Sequence, residues 1–409
     1  MIDSKLLRND FPMLTNGIKM QGKPLVWLDN ASTTFKPLCV LEAVSKYYTH
    51  ETSNSHRGDY DLCFNMDTKI MEARKTLASL LNAEPKEIVF TAGTTMSINQ
   101  VAFGYAAKYL KEGDEILLTE AEHASNVLPW YKVCEMTGAV TRFIPLTKEG
   151  RLTAENLEKT ISSKTKIIAV AQVTNVLGYV TPIKELAAIA HKHGAIIVVD
   201  GAQSVPHMKI DVKDLDCDFL SMSGHKMCGP TGVGVLYGKF DLLQKTDPFM
   251  TGGGMNAKFN MCGEASYLEA PVKFEAGTLN LEGIIGLDAA VKYIMNIGLD
   301  NINEHEKALK KYAVEQLEKT GNVTIYNADS EAGIVTFNIK DVFAQDAATF
   351  LNSKGIACRS GNHCAKILND FLGTPATVRA SFYFYTTKED IDALVDAVKH
   401  GKEFLDAYF

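Results

Sequence analysis

At 409 residues the chain exceeds what one hydrophobic core supports, so two domains or three are expected. Apolar residues at 46% and charged residues at 22% are ordinary for a globular protein, and a net charge of −7 without runs of like charge gives no support to nucleic-acid binding or a disordered tail. No window approaches the ~18 consecutive apolar residues of a membrane span. The start MIDSKLLRNDFPML lacks the basic and apolar regions of a secretory signal. A cytoplasmic protein with its eight cysteines as free thiols is the expectation.

In chain order, the first strong pattern is a helical face made by Ile70, Ala73, Leu77, Leu80 and Leu81. EIVFTAG (87–93), EILLTEAEH (115–123), KIIAVAQVTN (166–175) and AIIVVDGAQS (195–204) follow as short apolar runs, each ending in polar residues. Strands apolar on both faces and alternating with helices predict a mostly parallel sheet between helical layers, an α/β architecture. Ligands in such sheets lie beyond the carboxyl ends of the strands. Here those ends carry Thr94, Thr95, His123, Asn175, Asp200 and Gln203.

The last third changes character. Helical patterns around 285–320 lead to strand-like GIVTFNI (333–339), a further helix and strand-like VRASFYFY (378–385). A final helix opens at Thr387 with Asp390 at the capping-box position and carries Ile391, Leu394, Val395 and Val398 on one face. This predicts a smaller α+β domain beginning near residue 285.

The most informative stretch is 195–237. Asp200, at a strand end and three residues before Gln203, lies 26 positions ahead of Lys226, which is flanked by Ser223, Gly224, His225 and a Gly-rich turn. Alone, Asp200 reads as a turn or capping residue and Lys226 as a surface lysine. Together they are the set that pyridoxal 5′-phosphate (PLP) needs: a carboxylate for the pyridinium nitrogen, a lysine for the Schiff base, and small residues that let the backbone approach. Ser223 and His225 can donate to a phosphate. Gly93, Thr94 and Thr95 stand between a strand and a helix, where free N–H groups favour an anion, although such residues also serve as plain caps. His123 can stack on a planar ring, or it is structural.

The segments DNASTT (29–34), AGTT (92–95), EHASN (122–126), VDGAQS (199–204), SGHK (223–226), FEAGT (274–278) and RSGNHCA (359–365) together resemble the cysteine desulfurases of the class-V aminotransferase-like, fold-type I PLP family. The match spans nearly the whole chain. It is most similar to the SufS/CsdA-type group, on the short R-x-G-x-H-C-A segment and the insertion 252–273 before FEAGT.

The resemblance implies a large PLP-binding domain (21–285) on a seven-stranded sheet, a small C-terminal domain (286–409) carrying the catalytic cysteine loop, and an N-terminal segment (1–20) packed on the small domain. It implies Lys226 as the Schiff-base lysine and proton shuttle, Asp200 on the pyridine nitrogen, Gln203 on the ring hydroxyl and His123 over the ring. Thr94, Thr95, Ser223 and His225 would hold the phosphate. Thr278 would reach the phosphate of a partner subunit, in a homodimer. Arg379 would clamp the substrate carboxylate with Asn175 and Arg359, and Cys364 would take the sulfur as a persulfide. His363 and Lys366 would favour the thiolate. L-cysteine is then the substrate, and a SufE- or SufU-like acceptor for iron–sulfur cluster assembly is the partner. Cys358, His363 and Cys364 do not match usual zinc spacings, and no metal is expected.

The chain also departs from the group. Asn362 stands where a histidine is usual, GGGMNA (252–257) replaces the common Gly-Gly-Gly-Glu-Met, and HRGDY (56–60) keeps only the first part of its motif. Cys262 in the insertion has no counterpart in this pattern. Competing readings are selenocysteine lyase, another class-V PLP reaction in which Cys364 is dispensable, and a non-catalytic sulfur-relay scaffold.

Overall fold

Seven strands, numbered in chain order, make the principal sheet: β1 (Ile88–Thr91), β2 (Glu115–Thr119), β3 (Val140–Ile144), β4 (Thr165–Ala171), β5 (Ile196–Asp200), β6 (Phe219–Ser223) and β7 (Gly234–Gly238). The computed structural model from which they are read describes residues 2–55 and 58–401. The spatial order is β1-β7-β6-β5-β4-β2-β3. Only β7 runs antiparallel to its neighbours, β1 and β6, so the mostly parallel sheet holds as expected.

The reason lies in strand composition. In β4, Ile168 and Val170 join the core on one face while Ile167 and Ala169 join the core on the other. The alternation of side chains across a strand lets one apolar run feed two cores. Each such fully buried aliphatic side chain stabilises the fold by roughly 1.5–3 kcal/mol. One face is covered by the helices Asp61–Leu81 and Leu281–Ile297, the other by Thr94–Val101 and Leu128–Thr137. Ile70, Ala73, Leu77, Leu80 and Leu81 all lie in the first of these cores.

A second sheet of β8 (Val323–Ile325), β9 (Ile334–Ile339), β10 (Arg359–Gly361) and β11 (Thr377–Ser381) has the order β8-β9-β11-β10, all antiparallel. It packs with the helices Leu299–Lys319, Ala344–Ser353 and Lys388–Lys399 around its own core. The Thr387–Asp390 capping box is formed at the last helix.

The strand-like stretch 378–385 ends early. Ladder pairing stops at Ser381; Phe382 stays in the core of this sheet, and Tyr383–Tyr385 build an aromatic cluster. Within it, Phe11 meets Tyr385 at a ring-centroid distance of 4.7 Å and Phe384 at 5.8 Å. Aromatic residues fit a strand and a core corner equally well, so sequence alone overextended the strand.

Residues near the start rest on the last helix: Arg8 pairs with Asp390 at 2.7 Å and donates to the Tyr385 carbonyl at 3.1 Å. Residue 285 falls inside the unbroken helix Leu281–Ile297, whose buried residues belong to the principal core. Val26–Trp27, earlier in the chain, pairs in parallel with Ile356–Ala357. Among the described residues, no helix is long and apolar enough to cross a membrane.

Candidate active site

The carboxyl ends of the central strands open into a cavity of about 170 Å³. Thr94, Thr95, His123, Asn175, Asp200, Gln203, Ser223, His225, Lys226, Arg359 and Arg379 line it, with Ala31, Ser32 and Ser125. Residues from Ala31 to Arg379 thus meet where the α/β topology predicts a ligand. Thr278 does not join them. It borders a separate hollow with Met96, Gly232 and Asn280, and accepts from Asn54 Nδ2 at 3.2 Å. Of HRGDY, His56 and Arg57 lie outside the described residues.

One end of the cavity is made for an anion. Gly93 at φ +138° turns the chain out of β1 into the helix Thr94–Val101. A Cβ there would stand 3.2 Å from Ser223 Oγ, inside the space the cradle needs. Ser223 Oγ accepts from the Thr94 N–H and donates to Thr94 Oγ1, both at 2.9 Å, and Thr95 Oγ1 meets Ser125 Oγ at 2.8 Å. Hydroxyls and a helix N-terminus in one place suit a phosphate.

The middle of the cavity holds the titrating groups. Burial raises the Asp200 carboxyl, opposed by the charge of Lys226 and by the Ala202 N–H at 2.9 Å. Desolvation lowers Lys226 to about 8, opposed by Asp200 and assisted by Arg379 and Arg359. A lysine so shifted supplies neutral amine near physiological pH. His123 is lowered to about 4 by burial and then by the Lys226 charge. Its Nδ1 accepts from the Ser125 N–H at 3.1 Å, so the neutral ring carries its proton on Nε2. Gln203 Nε2 donates to the Ala31 carbonyl at 2.7 Å, leaving Oε1 buried without a partner.

The far wall is cationic. Arg379, fully buried on β11, donates from Nη2 to Asp29 Oδ1 at 3.0 Å and Ser32 Oγ at 2.9 Å, and from Nη1 to the Asn175 carbonyl at 2.9 Å. Its Nε has no partner. Arg359 donates from Nη1 to Ser32 Oγ at 3.4 Å and from Nη2 to Cys364 Sγ at 3.3 Å.

Cys364 sits in a tight turn where His363 (φ 50°) and Cys364 (φ 61°) both adopt the left-handed conformation. The turn is tied down three ways: the Ala124 N–H donates to the Cys364 carbonyl at 2.7 Å, Asn175 Nδ2 donates to the His363 carbonyl at 2.8 Å, and the Cys364 N–H donates to Asn362 Oδ1 at 3.2 Å. His363 corrects an expectation. It is buried, its Nε2 lies 3.1 Å from the Thr377 carbonyl, and burial lowers its pKa to about 3. A neutral ring turned into the core gives the sulfur no positive charge; Arg359 does. Asn175, expected on a carboxylate, has its amide engaged on the cysteine loop, with Oδ1 unpartnered.

Three residues at this site carried no role in the sequence reading, although all stand in the motifs quoted. Asp29 orients Arg379, and Ser32 joins the two arginines. Glu122 is buried and accepts from Thr119 Oγ1, Asn126 Nδ2 and the Ala171 N–H at 2.7–2.9 Å, bracing the base of the His123 turn. Strand ends rich in Asp, Glu and Ser were the available signal. The donor set fits PLP: a hydroxyl cradle for phosphate, an acidic residue facing a lysine, and an unpartnered acceptor on Gln203 for a ring hydroxyl.

A family model described as Aminotransferase class-V matches residues 26–394. The chain belongs to this family. Among curated relatives, a protein of Halalkalibacterium halodurans named "Probable cysteine desulfurase" is 48% identical over 400 residues, covering 98% of both chains. One of Staphylococcus epidermidis with the same name is 46% identical over 410 residues, covering 100% of this chain and 98% of its own. Among solved structures, the cysteine desulfurase CsdA from Escherichia coli superposes with a TM-score of 0.91 at 37% identity, over 98% of this chain and 99% of that one. The cysteine desulfurase from Thermococcus onnurineus gives 0.92 at 38%, over 98% of each.

Proposed function

We propose that this member of the class-V aminotransferase family is a PLP-dependent cysteine desulfurase, converting L-cysteine to L-alanine and leaving the sulfur as a persulfide on Cys364. The observation that carries the reading is the thiol of Cys364 held by Arg359, a residue that lines the same cavity as Lys226 and Asp200. The names of the relatives agree with it.

When bound, PLP withdraws electrons from the substrate α-carbon, so that the α-proton can leave and the Cβ–S bond can break. Asp200 holds the negative charge that keeps such a ring protonated. Lys226 offers an amine that both bonds covalently and carries a proton, because its pKa lies near neutrality. His123 lines the cavity, where it would cover the ring, and holds a proton on Nε2. Thr94, Thr95, Ser223 and His225 would hold the phosphate, and the unpartnered Oε1 of Gln203 would accept from the ring hydroxyl.

Arg379 meets the substrate carboxylate, oriented by Asp29 and Ser32. Asn175 holds the cysteine loop against this wall. The Cys364 sulfur attacks the substrate sulfur, an S–S bond forms as the C–S bond breaks, and the substrate carbon is reprotonated. Cysteine plus a thiol thus gives alanine plus a persulfide, with no external oxidant.

The reading includes a homodimer in which Thr278 serves the partner's phosphate, consistent with its place outside this chain's own cavity. It includes a SufE- or SufU-like acceptor, because a short cysteine turn held at the His363 and Cys364 carbonyls has limited reach for delivering sulfur. All eight cysteines are free, in keeping with a cytoplasmic setting, and iron–sulfur cluster assembly is the proposed destination of the sulfur. The test is alanine formation from L-cysteine with a reductant present. Wild type is expected to form it and Lys226→Ala to lose it; no alanine from PLP-loaded wild type would overturn the proposal.

A further inference from the structure

The turn that carries Lys226 is gripped from the DNASTT segment. Gly224–Lys226 form a single 3-10 turn after β6. The His225 carbonyl accepts from the Thr34 N–H at 3.0 Å, Thr33 Oγ1 and Thr34 Oγ1 at 3.1 Å, and Lys36 Nζ at 3.4 Å. On the other side of Lys226, the Cys228 N–H donates to the same Thr34 Oγ1 at 2.8 Å. Cys228 has φ +63°, a conformation that non-glycine residues seldom adopt and keep only when their surroundings hold them there. One hydroxyl, 1% exposed, therefore spans the residues on both sides of the lysine. It donates once and accepts once, so serine could replace it and valine could not.

We propose that Thr34 is a positioning residue for Lys226, its hydroxyl bridging His225 and Cys228 so that the turn presents the lysine amine to the cavity. The inference rests on the reading of Lys226 as the PLP lysine. The charges that act on the amine are those of Asp200, Arg379, Arg359 and Cys364; His123 and His225 line the same cavity, and Lys36 donates to the His225 carbonyl. A substitution at Thr34 alters none of these groups. It frees the turn, leaves the buried Cys228 N–H without its partner, and lets water reach the amine, which eases its protonation.

The test follows the visible absorbance of PLP-loaded wild type, Thr34→Val and Thr34→Ser as a function of pH, together with the rate at which each loses PLP on dialysis. Borohydride reduction and peptide mapping of wild type identify the labelled lysine. Thr34→Val is expected to titrate about half a unit higher and to lose PLP about ten-fold faster, the scale set by one unpaired buried N–H, with Thr34→Ser matching wild type. Thr34→Ala is read in the same way should the valine variant not fold. Label on Lys226 with valine, or alanine in its place, titrating as wild type overturns the inference alone. So does a serine variant displaced as far as valine. Wild type with no label on Lys226 overturns the PLP reading and this inference with it.

Discussion

Arg359 holds Nη2 3.3 Å from the sulfur of Cys364 while its Nη1 reaches Ser32, whose hydroxyl also accepts from Arg379. A permanent cation thus touches the sulfur proposed as nucleophile and is linked to the residue proposed for the substrate carboxylate. Arg359→Met is expected to slow alkylation of Cys364 by iodoacetamide at neutral pH about ten-fold, since a contact to a charged donor is worth ~1.5 kcal/mol or more. An unchanged alkylation rate would show that the arginine leaves the thiol unaffected.

The second prediction concerns the turn itself. Asn362 Oδ1 accepts from the Cys364 N–H at 3.2 Å in a segment with two left-handed residues. Asn362→Ala should lower turnover roughly five-fold through loss of ~1 kcal/mol of ordering, while Asn362→Asp keeps the acceptor and most of the activity. Steady-state rates with L-cysteine decide this. Equal rates for all three proteins would leave Asn362 without the anchoring role.

His363 links stability to pH. Its pKa in the fold is about 3, below the ordinary 6.5, because burial disfavours the cation. The unfolded state therefore takes up the proton first. The stabilisation is complete above pH 6.5 and is lost as pH falls from there towards 3, by at most ~1.4 kcal/mol per pH unit for one group. Urea unfolding at pH 7 and pH 5 should show the loss, and His363→Gln, which keeps a donor for Thr377, should make it smaller, the remainder belonging to other buried histidines such as His123. A variant slope equal to wild type would assign the effect to other groups.

Arg74 and Glu275 form a buried bidentate pair, both contacts 2.8 Å, which also binds the Ile88 carbonyl and the Phe90 N–H. Removing one partner strands the other's charge, so Arg74→Leu should cost about 3–5 kcal/mol. Thermal unfolding measures it. A Tm within a degree or so of wild type would mean that water enters and relieves the charge.

The strands β1, β2, β4 and β5 were legible because each is a short apolar run ending in polar residues. The edge strand β3 was not read: Val140 and Arg142 on one side of VTRFI are exposed, which blurs the apolar signal. Neither were β6 and β7, since FLSMS and GVLYG are built of Ser and Gly that resemble a turn, and Gly234 is demanded by packing, a Cβ there falling 2.5 Å from the Gly93 Cα. At the site, residue types and order were readable from the motifs, and eleven of them line one cavity. Side-chain partnerships were not. That His363 turns inward to Thr377 while Arg359 turns to Cys364 depends on the register of β10 against β11, in which Arg359 lies opposite Arg379. Neighbours in sequence gave no sign of it.

Where the sulfur goes decides whether Cys364 takes it. PLP-loaded protein is mixed with L-cysteine for a single turnover, without acceptor or reductant, and the peptide containing Cys364 is weighed by mass spectrometry. The account predicts a gain of one sulfur atom on Cys364, in step with the alanine formed. Alanine accumulating while Cys364 stays unmodified would contradict it.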